Sequence, residues 1–499
     1  MTTIFKDLNI FHNVKPKKVD LVITTVPYTE TSFPLMAPAI LKSIADTCQV
    51  SAAGLDLNSY FVDWLKYRSD KNKFLDFFHT EKIDPEIDNV LNKLHEYFVF
   101  LLLAHRPKII ALSLLSIVCQ ASCKKICQLL KKHRPTIKIV IGGAGCFENL
   151  KGHAMFAEEL LNSGLIDHYI RGDGEKAFAA YLKGQYDFPG INNSDWQEIT
   201  KEELDTFPYP DYDDYNFEHQ YVIAINGSRG CVRRCKFCDI IEHWKKFNYR
   251  SGQSIFDEMI FQNKKYGFQT FKFQDSLVNG NLKEFKKLIS LLAEYNENNP
   301  TNKLKWNGYF ILRSQSSFGE EWWSLMKKSG ASALVVGIES LVESIRIDMG
   351  KNFTNEDLEY SLSMIKKYHL KMVMLMIVGW ITETEKDIEY AKKWFIDNQK
   401  YKDLMIVEFG QTLGIYPNTW LDRNKDQLNI IKLDSMPENW KSLTNNSNPT
   451  LRAEWHKALS ELCENLGYTL SDSLITHYLL ERIIRNDTEF KNTNKYLHV

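Results

Sequence analysis

From residue 19 the chain alternates short apolar runs with amphipathic stretches. Residues 19–26 read VDLVITTV, a β-rich run of the kind that parallel strands show when both faces are buried. Apolar positions at i, i+3 and i+4 predict a helix over 37–45, and 50–55 predicts a second strand. Strand patterns return at 108–113 and 137–143, with a helix at 122–132 between them and weaker strand-like stretches at 167–170 and 172–175. This alternation predicts a Rossmann-like, doubly wound parallel sheet over 1–183. Residues 58–105 carry aromatic and Lys/Glu-rich helical patterning and read as an insertion packed over that sheet.

Residues 184–216 are rich in Pro, Asp, Asn and Tyr and read as an extended linker. Beyond it the strand–helix rhythm resumes. Strands are expected at 221–226, 270–273, 306–310, 333–337, 372–378 and 404–409. Helices are expected at 254–266, 281–295, 319–329, 354–368 and 384–397. Ser254 before Asp257 and Thr354 before Asp357 look like helix starts, and Gly267 and Gly330 stand where C-terminal caps belong. Six such repeats over 217–425 predict an α/β fold of the partial (β/α)6 TIM-type barrel. Residues 426–499 leave the rhythm for a helical C-terminal extension, with amphipathic patterns at 453–466 and 471–484. It reads as a cap over the barrel mouth or as a substrate-selecting element.

Composition narrows the class. The chain has 499 residues, 44% hydrophobic and 25% charged, with 62 basic against 63 acidic side chains. That balance makes no electrostatic case for nucleic acid. Residues 1–20 lack the apolar core of a signal peptide, and the apolar runs fall short of the ~20 residues that span a bilayer. Nine unevenly spaced cysteines fit no disulfide framework and suit a reducing, cytoplasmic setting. Cys119, Cys123 and Cys127 lie on one face of one helix and read as core thiols, as do Cys48, Cys146 and Cys463.

The remaining cysteines carry the chemistry. Cys231, Cys235 and Cys238 follow the first barrel strand with C-x3-C-x2-C spacing, and thiolates so close on a loop can converge on one metal centre. Three ligands leave a position open, whereas a structural zinc site closes with four; His243 would complete a Cys3His alternative. Barrel strand ends carry function. They supply Asp275 and Ser276, Arg313, Glu339 and Ser340, and Gly379, followed by the loop 414–419. In the first sheet, Gly142 and Gly143 past a strand end are read as a tight turn or as a close approach to a ligand.

The C-x3-C-x-aromatic-C loop (Cys231, Cys235, Phe237, Cys238) resembles that of the radical S-adenosylmethionine superfamily. The subgroup with an N-terminal cobalamin-binding domain is similar from about residue 18 to 425. Gly142-Gly143, the Gly-Asp-Gly-Glu of 172–175, Gly337-Ile338-Glu339-Ser340 and Met349-Gly350-Lys351 carry the likeness. The resemblance implies a [4Fe–4S] cluster on the three cysteines, its open iron chelated by S-adenosylmethionine, and cleavage to a 5′-deoxyadenosyl radical. It places the Phe237 backbone near adenine, Asp275 or Ser276 near the methionyl amine, and Arg313 or Glu339 near carboxylate or ribose. Ser340 and Gly379 join that cofactor-binding set. Thr24, Ser113, Gly142 and Gly143 would serve cobalamin.

The implied reaction is methylation of an unactivated carbon of a small molecule or peptide, with flavodoxin or ferredoxin as electron donor. Radical rearrangement, cyclisation or oxidation is the alternative. The chain departs from the family in reading Gln274-Asp275-Ser276 for Gly-Gly-Glu, 380–384 WITET for Pro-Gly-Glu-Thr, and Pro417-Asn418-Thr419 for Pro-Gly-Thr. The Asp-x-His-x-x-Gly motif that brings a histidine to cobalt is absent, so cobalamin is expected without that ligand, or its fold is kept without the cofactor.

Overall fold

The structure is a computed structural model. It describes residues 16–471 except 30–32, 67, 81–83, 148–154, 194, 196–197, 218–219, 411 and 435. The chain forms two units, 1–220 and 221–499.

In the first unit, β1 (Leu21–Thr25), β2 (Ala52–Leu55), β3 (Ile109–Ser113), β4 (Lys138–Gly142) and β5 (His168–Ile170) form one parallel sheet in the order β2-β1-β3-β4-β5. Every residue of β1 is buried, which is why its sequence shows no polar alternation. α1 (Ala37–Thr47) follows β1. α2 (Leu57–Lys66), α3 (Lys71–Thr80) and α4 (Pro85–Ala104) lie between β2 and β3. α5 (Gln120–His133), α6 (Phe156–Asn162) and α7 (Gly174–Leu182) follow β3, β4 and β5. Ile44 of α1 and Phe178 of α7 pack with Ile23, Ala111 and Val140 on one sheet face. On the other, Val22, Ile110 and Ile139 share a core with Phe61, Phe74 and Phe98. The helices of 58–105 are therefore the cover of that face rather than an addition to it, and Cys119, Cys123, Cys127 and Cys146 are buried in the same core.

Three expectations change here. Residues 172–175 are the entry to α7 and not a strand, because Asp173 in extended conformation leads directly into a helix that starts at Gly174. The segment 184–216, expected as an ordered, extended connection, packs back on its own unit. Lys42 Nζ pairs with Asp214 at 2.8 Å, and the Tyr215 hydroxyl donates to the Leu35 carbonyl at 2.7 Å. A one-turn helix, α8 (Lys201–Leu204), interrupts it. Gly143 is a turn glycine: its φ is +98°, and a Cβ there would lie 2.2 Å from the Leu114 carbonyl oxygen. That contact needs no ligand to explain it.

The second unit is built on a parallel sheet of β6 (Ile223–Ile225), β9 (Thr270–Phe273), β10 (Lys305–Phe310), β11 (Ala331–Glu339), β12 (Lys371–Met376), β13 (Met405–Glu408) and β16 (Thr469–Ser471), in that order. The intervening β7 (Ser228–Arg229) and β8 (Asn248–Tyr249) make a ribbon, as do β14 (Ile430–Lys432) and β15 (Trp440–Ser442). The helices are α9 (Ile240–His243), α10 (Gly252–Tyr266), α11 (Leu282–Asn298), α12 (Glu320–Lys328), α13 (Glu343–Met349), α14 (Asn355–Lys367), α15 (Glu385–Asp397), α16 (Trp420–Arg423) and α17 (Pro449–Leu466).

Thr354 and Asp357 form the expected capping box, and Gly267 ends α10 in a left-handed conformation. Ser254 is not a cap. α10 starts one turn earlier on Ser251, because Gly252, lacking a side chain, lets that turn press on Glu284 and Leu288 of α11. Asn418 takes φ +65°, the left-handed turn its position asks for. The C-terminal extension is more than helix. α17 packs beside α15, with Trp455 donating to Glu385 at 2.7 Å, and leads into β16, which pairs with β13 and lengthens the sheet. The helix expected over 471–484 lies outside the described residues.

Gly143→Ala should lower the unfolding midpoint clearly more than Gly164→Ala. Gly164 shares a positive φ (+71°) but would meet nothing within 4 Å, so it carries only the conformational penalty of about 1 kcal/mol. Equal shifts in a thermal melt would contradict the packing of this loop.

Candidate active site

The cysteine loop leaves the barrel just past β6, and the ribbon β7–β8 closes its base: Ser228 pairs with Tyr249 and Arg229 with Asn248. A carboxylate fastens that ribbon to the sheet. Asp275, just past β9 and only 2% exposed, accepts the Gly227 N–H on Oδ2 at 2.9 Å and the Ser228 hydroxyl on Oδ1. Burial pushes its pKa up to about 6, against those bonds, which favour the charged form. Arg250 secures the other end of the loop. It donates to the Asn226 carbonyl at 3.1 Å and pairs with the buried Glu258.

The turn after α13 meets the loop from the far side. The Lys236 N–H donates to the Met349 carbonyl at 3.0 Å. Gly350, at φ +90°, lies so close that a Cβ would come within 3.3 Å of Cys235 Cα. Lys351 then pairs with Glu339 Oε1 at 2.7 Å, donates to the Gly337 carbonyl at 3.2 Å, and stands 5.7 Å from the Phe237 ring centre. Burial pulls its pKa down, but Glu339 and the thiols of Cys235 and Cys238 more than offset this and leave it raised. The Phe237 ring enters an apolar cluster and meets Trp380 edge-on at 6.3 Å.

Cys235 is 7% exposed, while Cys231 and Cys238 are half-buried. Burial raises the Cys235 thiol, with the Lys351 charge opposing it, and pushes Cys238 up to about 11. Among the described residues, no three His, Cys, Asp or Glu side chains already stand in metal-holding geometry. The His243 ring lies 3.9 Å from Asp239.

The other strand-end residues divide. Ser276 is half-buried, and its hydroxyl has no hydrogen bond among the described residues. Arg313 donates to the Asn279 carbonyl at 2.7 Å, and among the described residues its buried Nε has no partner and no carboxylate pairs with it; burial and Arg233 lower its pKa. Glu339 takes φ +64° and is spent on Lys351. Ser340 is buried and accepts the Val342 N–H at 3.2 Å. Gly379 makes room for a side chain of the protein itself, since a Cβ there would lie 2.1 Å from Arg452 Cδ. Its N–H donates at 2.6 Å to Glu383, whose pKa burial pushes up to about 7. Asp275, expected near an amine, is also committed to the loop's own donors.

In the first unit, a pocket of about 160 Å³ opens over β1, β3 and β4 and is lined by Ile23, Ala111, Ser113, Gly142, Gly143 and Phe178 among others. It lies by the β1–β3 switch of strand order. Thr24 is not with them. It is buried on the opposite face, and its hydroxyl donates to the Thr25 carbonyl at 3.0 Å. Lys351 and Ser228 were not found from strand ends because neither stands at one: the first follows a helix and the second begins a ribbon. Only the Met349-Gly350-Lys351 turn hinted at the former.

Residues 225–395 match the family profile of the Radical SAM superfamily. An uncharacterized methyltransferase of Pyrococcus horikoshii, PH0819, is 24% identical over 393 residues, which is 72% of this chain and 77% of the relative. Among solved structures, the radical S-adenosylmethionine methyltransferase TsrM of Kitasatospora setae, with cobalamin and a [4Fe–4S] cluster bound, is similar with a TM-score of 0.65 at 16% identity. The match covers 94% of this chain and 99% of that one; the same protein has also been solved with tryptophan substrate and a SAM analogue. The cobalamin-dependent radical enzyme OxsB gives a TM-score of 0.58 at 13% identity, over 90% of this chain and 67% of that one. Residues 225–395 thus carry the radical SAM match, and the fold of the chain is the one these cobalamin-bound neighbours share. Among the described residues, no helix is long and apolar enough to cross a membrane.

Asp275→Asn tests the loop anchor. A carboxyl raised from 3.8 to about 6 contributes stability below its unfolded pKa and loses it as pH rises through 6. From pH 5 to pH 7 the wild type should therefore lose about 1 kcal/mol relative to the variant. Parallel unfolding curves at the two pH values would contradict the burial of this carboxyl.

Proposed function

We propose that Cys231, Cys235 and Cys238 hold a [4Fe–4S] cluster with an open iron for S-adenosylmethionine, that the β1–β3–β4 pocket receives cobalamin, and that the protein methylates an unactivated carbon of a small molecule. The observation that carries the reading is the cysteine loop: three thiols, fastened by Asp275 on one side and the Gly350 turn on the other. Thiolates suit iron, and three of them leave a site for a chelating ligand. When bound, the reduced cluster supplies the electron that cleaves S-adenosylmethionine to methionine and a 5′-deoxyadenosyl radical, and cobalamin carries the methyl group.

The residues present fit these groups. Lys351 places a buried positive charge beside the thiols, which favours their ionised form. Arg313 and the Ser276 hydroxyl, neither with a side-chain partner among the described residues, suit the methionyl carboxylate and a hydrogen bond to the amine. Glu339, Ser340 and the Phe237 backbone would line the rest, with Trp380 and Leu421 excluding water behind them. Ser113 and Gly142 border an apolar pocket with room for a flat aromatic group, and no histidine stands in 26–29 to reach a metal above it. A flavodoxin- or ferredoxin-type donor would supply the electron.

Anaerobic reconstitution with iron, sulfide and cobalamin, followed by reductant and methyl-labelled S-adenosylmethionine, should yield 5′-deoxyadenosine and label on cobalamin. Cys235→Ala should lose its cluster iron yet keep the visible absorbance of bound cobalamin. Stoichiometric zinc without iron, or no 5′-deoxyadenosine, would overturn the radical reading; 5′-deoxyadenosine without label on cobalamin would overturn methyl transfer alone.

A further inference from the structure

The solvent side of the cysteine loop carries a charge pattern that the cofactors do not use. Residues 227–238 and 244–250 together hold seven Lys or Arg and no Asp or Glu, in a chain of 62 basic and 63 acidic side chains. Two of the seven are taken up by carboxylates, Lys236 by Asp348 and Arg250 by the buried Glu258. Of the acids between the two stretches, Glu242 pairs with Arg423 at 2.8 Å and Asp239 stands 3.9 Å from His243. Arg233, Arg234 and Lys246 have no ion pair among the described residues.

These charges stand together because the loop is bound to the segment that leads into β8. Arg234 donates to the Lys245 carbonyl at 2.9 Å, and a Cβ on Gly230 (φ +76°) would lie 2.4 Å from the Lys246 carbonyl oxygen. Arg234 and Lys246 are exposed. Arg233 is half-buried and near enough for its charge to favour the ionised Cys235 thiol. Two apolar side chains accompany them. Val232, just after Cys231, is 42% exposed; Ile347, one turn before the Gly350 that meets the Arg234 backbone, is 53% exposed. Like charges gathered without carboxylates repel one another, so folding gains nothing from this arrangement, whereas an acidic partner does.

We propose that this face docks a small acidic protein that carries one electron, its carboxylates against Arg233, Arg234 and Lys246 and its apolar surface against Val232 and Ile347. Apolar side chains among basic ones fit such a transient contact, in which charge steers the encounter more than it holds the complex. Val232 and Arg234 each adjoin a cysteine along the loop, so a carrier seated there comes close to the thiols. This rests on the radical reading of the cysteine loop. One electron leaves the reduced carrier, which is oxidised, and enters the cluster, which is reduced; no atom is transferred.

The test is stopped-flow reduction of the reconstituted holoprotein by two donors, a reduced acidic [2Fe–2S] ferredoxin and the methyl viologen radical cation. Ferredoxin should reduce the cluster at a rate that falls about tenfold or more from low to high salt, because salt screens the attraction. Arg234→Glu with Lys246→Glu should slow ferredoxin by about tenfold or more, yet leave reduction by viologen, a small cation, equal or faster. Arg234→Lys with Lys246→Arg, which keeps both charges, should match the wild type. No reduction by ferredoxin, a rate indifferent to salt, an unchanged rate in the charge-reversed variant, or an equal loss with viologen would each overturn the proposal. Iron content and 5′-deoxyadenosine formed with viologen in the wild type report the radical reading separately, so failure of the docking face and failure of that reading are told apart.

Discussion

Asp275 is a carboxylate taken out of water at the end of a strand, and it stays there because the Gly227 N–H and the Ser228 hydroxyl both point at it. Those two residues begin the ribbon that closes the cysteine loop, so one buried group sets where the loop leaves the barrel. Hydrogen bonds to a charged acceptor are stronger than neutral ones, and burial removes the water that would compete. Loss of that anchor would leave the loop held mainly by the Gly350 turn and by Arg250. The thiols would still be present, but the ribbon at the base of their loop would no longer be fastened to the sheet.

The same economy runs through the rest of the mouth. Lys351 reaches the cysteines only because Gly350 has no side chain to keep α13 away from Cys235. Glu339, at the end of β11, takes a left-handed conformation and neutralises that lysine. Arg313 is the contrast, a cation without a carboxylate in an ion pair among the described residues. Positive charge that the fold leaves uncompensated marks where anionic groups of ligands belong.

Strands with both faces covered were legible in the sequence because they show unbroken apolar runs, as in 19–26 and 333–337. The cysteine loop was legible because thiol spacing is a local property. What failed to show was tertiary. Ser251 rather than Ser254 caps α10 because Gly252 packs on α11, a contact between residues about thirty positions apart. β16, three residues long and only partly buried, has no run to detect and is defined by its pairing with β13. Thr24 looked like a strand-end ligand, but strand-end position does not tell which face a side chain takes. Gly379 looked like a ligand cradle and instead admits Arg452, which comes from a helix more than seventy residues later.

The most direct test of a three-thiol cluster with an open iron is electron paramagnetic resonance of the reduced protein, before and after adding S-adenosylmethionine. A reduced [4Fe–4S] signal whose g-values move when S-adenosylmethionine is added, and that is lost in Cys231→Ala, Cys235→Ala and Cys238→Ala alike, is the predicted result. A signal indifferent to S-adenosylmethionine, or a protein that holds zinc in place of iron, would contradict the account.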